Sequence, residues 1–393
     1  MEILNNKRVN KQEEDQPAAA PAKQLPGDLV LEIFSLLPAK SLLRFRCVSK
    51  PWRALTSHAL KKVPLVMSGL FYDKSHSIRY VSTHNDTDLE GFDISLAFLP
   101  SCPGLRMLDC CNGLLLCFRY KAICTVSPVS QKEYFVCNPA TKIWARVPAV
   151  PRTRACMYTL DFDHQASSHF RVYAVCPQGS QRHSILVAVF SSETGNWALS
   201  EEHHTDLAIN EGFMAAVFFN GILHVTGLWH LVIAGIDREG KVCQRIKFPG
   251  EYQSLNMTQV RVGQSGGYLH FACTYRNLID VWVLKEHNND GWVLKHRVPM
   301  GVLMEKKLRM SSPRDLKDGM NTLVMMLLWS TEIKLNRYAF HPDMDVIFLV
   351  MEEKLYSYNL TLTELTEVCS SRLPIWMPYS PCYSYDLGGQ NLN

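Results

Sequence analysis

The sequence predicts a two-part chain, in which a short helical module precedes an all-β propeller of six blades, with seven blades as the alternative. Helical apolar spacing is confined to residues 25–62, and β-rich runs separated by turn residues fill 63–385. Within those runs one strand pattern recurs about every 50 residues, a period typical of propeller blades. Residues 1–24 are polar and rich in Pro and Ala towards their end, which predicts a disordered leader.

The composition indicates a globular protein of a reducing compartment. Apolar residues make up 47% of the 393 and charged residues 20%, a balance that allows a large core. The net charge of +4 is mild and no Lys/Arg-dense stretch is evident, so nothing points to nucleic acid. The 13 cysteines contain no Cys-x-x-Cys pair, which favours free thiols and a cytoplasmic or nuclear location. The longest apolar run, 323–329, is too short for a membrane span.

The helical module reads as three short helices. Apolar residues with helical spacing, Leu29 and Ile33 among them, define the first helix, and Pro38 ends it. Ser41 is expected to cap a second helix and Ser49 a third. Helices of this size are expected to lack a core of their own, so their apolar surface must be covered by the rest of the chain or by a partner.

The segment LPGDLVLEIFSLLPAKSLLRFRCVSKPWRAL resembles an F-box. The family pattern is Leu-Pro, an apolar helix, a second Leu-Pro, then Leu-x-Arg-x-Arg-x-Val and finally Lys and Trp-Arg. F-boxes bind the Skp-family linker of a cullin–RING ubiquitin ligase, so the resemblance implies a linker-binding set at the anchor positions. This set is Leu25, Pro26, Leu29, Ile33, Leu37, Pro38, Leu42, Val48 and Trp52.

Two strand patterns alternate through the β-rich region and together predict four-stranded blades. One is an apolar strand, a polar turn and a short strand that often opens with Trp, at 134–144, 187–197, 231–242, 281–292 and 355–365. The other, often opened by Asn-Gly or Gly, lies at 112–117, 170–175, 220–225, 267–272 and 346–350. A weaker blade is expected over 63–103, with strands at 65–67, 69–72 and 78–81, and residues 378–386 are expected to close it.

These repeats carry a second resemblance. The runs CNGLLLC, NPATKIW, NGILHV and HPDMDVIFLV are similar to the F-box-associated domain of plant F-box proteins, which is a kelch-like propeller. The Gly-Gly doublet of true kelch repeats occurs only at Gly266-Gly267, so these are not standard kelch repeats.

Several chemical motifs have simpler structural interpretations. Gly263 to Gly267 match Gly-x-Ser-x-Gly, but a strand pattern follows where a nucleophile elbow needs a helix, so a tight turn is predicted. His203 and His204 lie in a polar link, which favours a solvated loop over a metal site. Matched repeat positions predict structural roles for two histidines and three tryptophans: His224, His270, Trp144, Trp197 and Trp292.

Residues 301–334 break the repeat. A long insertion on a rigid scaffold is either a recognition element or an idle loop, and the sequence leaves both open. Its charged residues are the candidate substrate-binding set: Glu305, Lys306, Lys307, Arg309 and Arg314.

The predicted function is that of a substrate-recognition adaptor in a Skp–cullin–F-box ubiquitin ligase. The F-box is expected to bind the Skp-family linker, and through it cullin and RING subunits, while the propeller binds the protein to be ubiquitinated. No catalytic residue, metal or cofactor is expected in this chain, and no membrane or nucleic-acid partner. Two alternatives remain: a propeller enzyme of hydrolase or metal-oxidase type, and a scaffold or lectin-like binder that acts without the ligase.

Overall fold

The computed structural model describes residues 25–74, 77–83, 93–100, 104–121, 131–151, 155, 157–178, 184–200, 215–226, 232–249, 260–285, 291–311, 339–351, 354–370 and 376–383. The chain divides into two compact units between Val63 and Pro64. Within the described ranges no helix is both long and apolar enough to cross a membrane. The predicted leader, residues 1–24, lies outside these ranges.

The first unit contains three helices, α1 (Gly27–Ser35), α2 (Ala39–Phe45) and α3 (Lys50–Lys62). The Ser49 hydroxyl accepts a hydrogen bond from the Trp52 backbone N–H (3.3 Å), as predicted for the third helix. The predicted cap at Ser41 is wrong: Pro38 is the N-cap of α2, which places Ser41 inside the helix. Pro38 lies between α1 and α2, where its fixed φ disfavours continuation of the first helix and suits the start of the second.

This unit has a small core of its own, contrary to the expectation that it would have none. The rings of Phe34, Phe45 and Trp52 meet pairwise at 5.3–5.5 Å. Leu42 and Leu60 are buried beside them. Large aromatic rings fill the crossing of three short helices with few residues, which gives the module a packed centre of its own.

The second unit is built from 23 described strands and one further helix. Its strands are β1 (Gly69–Lys74), β2 (Ser77–Ser82), β3 (Arg106–Cys111), β4 (Leu114–Lys121), β5 (Gln131–Asn138), β6 (Ile143–Val147), β7 (Met157–Asp161), β8 (Arg171–Gln178), β9 (Ser184–Ser191), β10 (Asn196–Leu199), β11 (Ala216–Phe219), β12 (Ile222–Val225), β13 (Val232–Ile236), β14 (Val242–Lys247), β15 (Val260–Ser265), β16 (Tyr268–Tyr275), β17 (Leu278–Leu284) and β18 (Trp292–Pro299). The helix α4 (Met300–Ser311) precedes β19 (Ala339–Phe340), β20 (Val346–Met351), β21 (Lys354–Asn359), β22 (Glu364–Ser370) and β23 (Trp376–Tyr379).

These strands form six antiparallel sheets, which confirms the predicted six-bladed propeller. Blades 2 to 6 are the successive sets β3–β6, β7–β10, β11–β14, β15–β18 and β19–β22, and blade 1 has the order β23-β1-β2. One strand of each blade contacts the equivalent strands of the two neighbouring blades, so these six strands form the inner ring. They are β23, β3, β7, β11, β15 and β19. The strand β23 therefore closes the ring inside blade 1, as predicted, although it spans Trp376–Tyr379 and overlaps the expected segment 378–386 only at its start. Residues 65–67, however, are not a strand.

Type I′ hairpin turns explain one of the two recurring patterns. At Asn112-Gly113, Asn220-Gly221 and Gly266-Gly267 both residues have positive φ, between 45° and 85°. Asn and Gly tolerate this left-handed backbone, which the two-residue turn of a twisted hairpin requires. The predicted tight turn is thus present at the end of the Gly-x-Ser-x-Gly match, where Gly266-Gly267 joins β15 to β16.

The third-to-fourth-strand turns repeat a side-chain contact. In four blades a side-chain oxygen at the start of this turn accepts a hydrogen bond from the backbone N–H of the second residue after it. The accepting residues are Asn138, Ser191, Asp237 and Asn359. Just beyond the turn, the Trp197 indole donates to the Pro148 carbonyl (2.8 Å) and that of Trp292 to Lys247 (2.9 Å), each in the preceding blade. The predicted blade-packing role of these tryptophans is confirmed.

The propeller has two unlike faces. In an antiparallel blade, the connection between the first and second strands and the connection between the third and fourth strands leave from the same edge. The turns described above therefore lie on one face of the propeller, here called the turn face. Connections between blades leave from the opposite edge, the loop face. The longest of them span 83–105, 200–215, 248–259 and 300–338.

Candidate functional site

Helix α1 is apolar on both its sides. Phe34 points into the module and is 3% exposed. On the opposite side Leu29, Ile33 and Leu36 are 47%, 49% and 85% exposed, at the i, i+4, i+7 spacing that aligns side chains along one helix face. We call these three residues the apolar stripe. Apolar side chains in such a continuous row on a solvent-facing helix indicate a surface that binds a partner.

The predicted linker-binding residues fall into two groups. Leu25, Pro26, Leu29, Ile33, Pro38 and Val48 are exposed, whereas Leu37 and Trp52 are partly buried and Leu42 is 0% exposed. The Leu42 side chain and the Trp52 indole belong to the module's own core, so they position the helices that carry the exposed residues. Leu36, which the predicted set left out in favour of Leu37, is the most exposed member of the apolar stripe. Helical spacing alone could not separate these neighbours.

The module also carries a basic face, which corrects the view that no stretch of the sequence concentrates Lys and Arg. Residues 33–72 contain seven of them and no Asp or Glu. Lys50, Arg53 and Lys61 are exposed and lie along one side of α3, at i, i+3 and i+11 spacing. Arg46 joins them, since its guanidinium donates to the Ser57 hydroxyl (3.1 Å). Within the described residues Lys50, Arg53 and Lys61 form no ion pair.

Four of the five predicted substrate-binding residues lie on a helix and not on a loop. Residues 300–311 form α4, and its Leu303 and Met304 are buried in a core shared with blades 5 and 6. An idle loop is therefore excluded for this part of the insertion. Arg309 pairs with Glu305 one turn away and Lys307 is 6% exposed, which leaves Lys306 partly exposed without an ion pair among the described residues. Arg314 lies outside the described ranges.

The two matched histidines are buried. His270 is 2% exposed, and its Nδ1 lies 3.1 Å from the Tyr268 carbonyl oxygen; burial lowers its pKa. His224 is 3% exposed and packs against the Phe219 ring. Both observations agree with the predicted structural role. His203 and His204 lie outside the described residues, and elsewhere in those ranges no three His, Cys, Asp or Glu side chains are grouped to hold a metal ion.

An unusual carboxylate lies in the inner ring. Asp109 of β3 accepts the backbone N–H of Cys110 (2.8 Å) with one oxygen and that of Leu160 in the next blade (2.7 Å) with the other. Burial raises the pKa of Asp109 to about 7, and the two hydrogen bonds only partly offset this. Burial likewise raises the pKa of Asp161 in β7 to about 6. The Asp109 carboxylate thus joins two neighbouring blades.

Comparison with known proteins decides the family. Residues 23–63 match the F-box domain, and residues 94–332 match the β-propeller family described as F-box protein At3g26010-like. The chain belongs to the F-box proteins. F-box protein At5g07610 of Arabidopsis thaliana is 30% identical over 300 residues, which cover 70% of each chain. F-box protein At5g49610 of the same plant is 27% identical over 299 residues, 68% of this chain and 77% of that one.

The family assignment agrees with both resemblances read from the sequence. The helical module of this F-box protein is α1–α3, and the family's propeller match begins just ahead of blade 2. The apolar stripe and the basic face therefore lie on the F-box itself.

Proposed function

We propose that this F-box protein is the substrate-recognition subunit of a Skp–cullin–F-box ubiquitin ligase. In this scheme the F-box binds the Skp-family linker, and the propeller binds the protein to be ubiquitinated. The observation that carries the proposal is the apolar stripe of Leu29, Ile33 and Leu36 on a helix whose other side is already packed. A continuous row of exposed apolar side chains on a folded helix typically marks a surface that a partner covers.

The propeller supports the recognition half of the proposal through its asymmetry. The turn face is made of short, locally satisfied connections such as 112–113, 220–221 and 266–267. The loop face carries the long connections, including 300–338. Length and sequence can vary there without disturbing blade packing, which is why binding residues are commonly found on such loops. We propose that the substrate is bound by these long connections, including α4, which packs against blades 5 and 6.

The chemistry of ubiquitin transfer would come from the partners and not from this chain. We also propose that the protein acts in the cytoplasm or the nucleus, in keeping with the ten free cysteines of the described residues. A fluorescent fusion observed in plant cells tests this location, and a signal confined to the secretory pathway would contradict it.

Reconstitution tests the proposal. The full chain, a fragment ending near Lys62 and a fragment beginning near Pro64 are each mixed with purified linker, cullin and RING subunits. We expect the full chain and the first fragment to assemble with the linker, because the F-box has its own core. The second fragment should not assemble. Failure of the full chain to bind any Skp-family linker would refute the proposed function.

A further inference from the structure

A groove runs along the cleft between blade 5 and blade 6, next to α4. Its volume is about 380 Å³, within the usual range for ligand pockets of about 300–1,000 Å³. The strand β18 forms one wall, α4 the second, and the end of β21 with its following turn the third. Residues that line it include His296, Arg297, Val302, Lys306, Tyr358 and Leu360.

The walls of the groove are held in place by packing. Tyr358 and Leu360 are 2% and 5% exposed, and they belong to the same buried cluster as Leu303 and Met304 of α4. The helix is thus fixed against blade 6 on the side next to the groove. Walls that are already packed have little conformational freedom to lose on binding, which favours affinity.

The charge of the groove is positive. No Asp or Glu is among its lining residues. Arg297 is neutralised by Asp280 beneath it, through two hydrogen bonds of 2.7 and 2.8 Å. His296 and the nearby Lys295 share Asp345, at 2.6 and 2.9 Å. Lys306 has no such counter-charge among the described residues.

Apolar and cationic parts of the groove lie side by side. Pro299 and Val302 supply the apolar surface, since Tyr358 and Leu360 are almost fully buried. Lys306, one helical turn after Val302, supplies the uncompensated charge. A ligand that satisfies both must carry a negative group next to an apolar one. A charged group held at the edge of an apolar surface gains from the low local dielectric, whereas a positive ligand would be repelled.

We propose that this groove binds a short extended segment of the substrate protein in which an acidic side chain adjoins an apolar side chain. The inference rests on the proposed function and gives it a substrate class. It also narrows the candidate set of the insertion to Lys306, because Glu305, Lys307 and Arg309 are paired or buried.

A displayed library of random octapeptides, panned on the purified full chain, tests the proposal. We expect enrichment of Asp or Glu beside Leu, Ile, Val or Phe. The same library is panned on Lys306→Glu, for which enrichment should switch to Lys or Arg, an outcome that a folding defect cannot mimic. The best wild-type peptide, labelled with fluorescein, should bind Lys306→Glu about tenfold more weakly or worse in fluorescence polarisation.

Two further variants complete the design. Arg309→Glu changes charge equally on the same helix but lies away from the groove lining, so it should keep wild-type enrichment and affinity. Val302→Trp should fill the groove and remove binding while the melting temperature stays within a few degrees.

Two results would overturn the proposal: no acidic enrichment on the wild-type chain, including the absence of any enriched peptide, or equal effects of Lys306→Glu and Arg309→Glu. Linker binding is measured for every variant and should not change. Its loss in the wild type would contradict the proposed function instead.

Discussion

The F-box and the propeller differ in how they bury large apolar residues. In the propeller, large apolar residues such as Leu70, Phe71 and Phe135 are fully buried. In the F-box, Leu29 and Ile33 are half exposed although the module has a core into which Phe34 packs. The propeller also exposes some large apolar residues, but Tyr268 and Leu362, for example, lie on different blades, whereas those of the F-box form one row on α1. Such a row on a module with its own core marks a surface that can bind a partner.

Charges show the same contrast. Propeller cations are commonly paired: Arg106 lies 2.9 Å from Asp73, Arg297 2.7 Å from Asp280 and Lys354 2.9 Å from Glu367. On the F-box, Lys50, Arg53 and Lys61 form no such pair within the described residues. Four predictions break or sharpen this comparison, beginning with the largest expected effect.

Replacing Leu29 and Ile33 by Asp is expected to abolish linker binding. Two carboxylates would have to lose their hydration inside an apolar interface, which is strongly unfavourable. Quantitative pull-down with purified linker checks this, and the thermal melting of the propeller should not change. The matched control is Leu362→Asp, which changes a leucine of similar exposure (62%) in a propeller turn. Wild-type capture of linker by the double variant would show that the apolar stripe is not the interface.

Trp52→Ala is expected to weaken docking by at least about 2 kcal/mol. Because its indole packs on Phe34 and Phe45, we attribute the loss to a loosened module and not to a missing contact. Hydrogen exchange of the full chain should therefore speed up in α1–α3 and stay unchanged in the blades. Trp52→Phe keeps a ring at this crossing and should recover most of both properties. Weak docking with unchanged exchange would instead place Trp52 directly in the interface.

The stability of the propeller is expected to fall as pH rises from about 4 to 7. Burial raises the pKa of Asp109 to about 7, so in this window the folded chain binds more protons than the unfolded one, and deprotonation favours unfolding. Asp109→Asn should flatten this part of the profile, as measured by urea unfolding at a series of pH values. Asp345, whose pKa is lowered by hydrogen bonds that include those from Lys295 and His296, contributes with the opposite sign. Asp345→Asn is therefore the contrasting control.

Reversing the basic face is expected to slow linker association while leaving dissociation nearly unchanged. Unpaired cations attract an acidic partner surface at long range, an effect that salt screens. In stopped-flow experiments the triple variant Lys50→Glu, Arg53→Glu, Lys61→Glu should associate several-fold more slowly at low salt, and the difference should shrink at high salt. Lys142→Glu, Lys241→Glu, Lys247→Glu changes the net charge of the propeller equally and is the control. Equal association rates for the two triple variants would show that the basic face does not steer the linker.

Local backbone rules made most of the propeller predictable. Asn-Gly pairs at 112–113 and 220–221 demand positive φ, so the sequence itself locates these hairpins. The helix α4 had no comparable signal, since Pro299 precedes it without a capping side chain and Gly301 weakens its first turn. In the candidate site, the spacing of apolar residues identified α1. It could not show which side of α1 packs in the module and which is exposed, because both sides are apolar. Leu42 is buried and Leu36 is exposed because of the way the three helices cross. The spacing of apolar residues along the sequence carries no information about that crossing.

The closing strand β23 has a consequence for synthesis. Because β1 pairs with Trp376–Tyr379, its inner edge has no neighbour until these residues leave the ribosome. About 310 residues separate Val63 from Trp376, so at about 5–20 residues per second the ring can close only roughly 15–60 s after the F-box has emerged. During that interval a translating chain already presents its docking helices while its propeller is incomplete. A messenger truncated before residue 376 would thus encode a competitor that occupies the linker yet delivers no substrate.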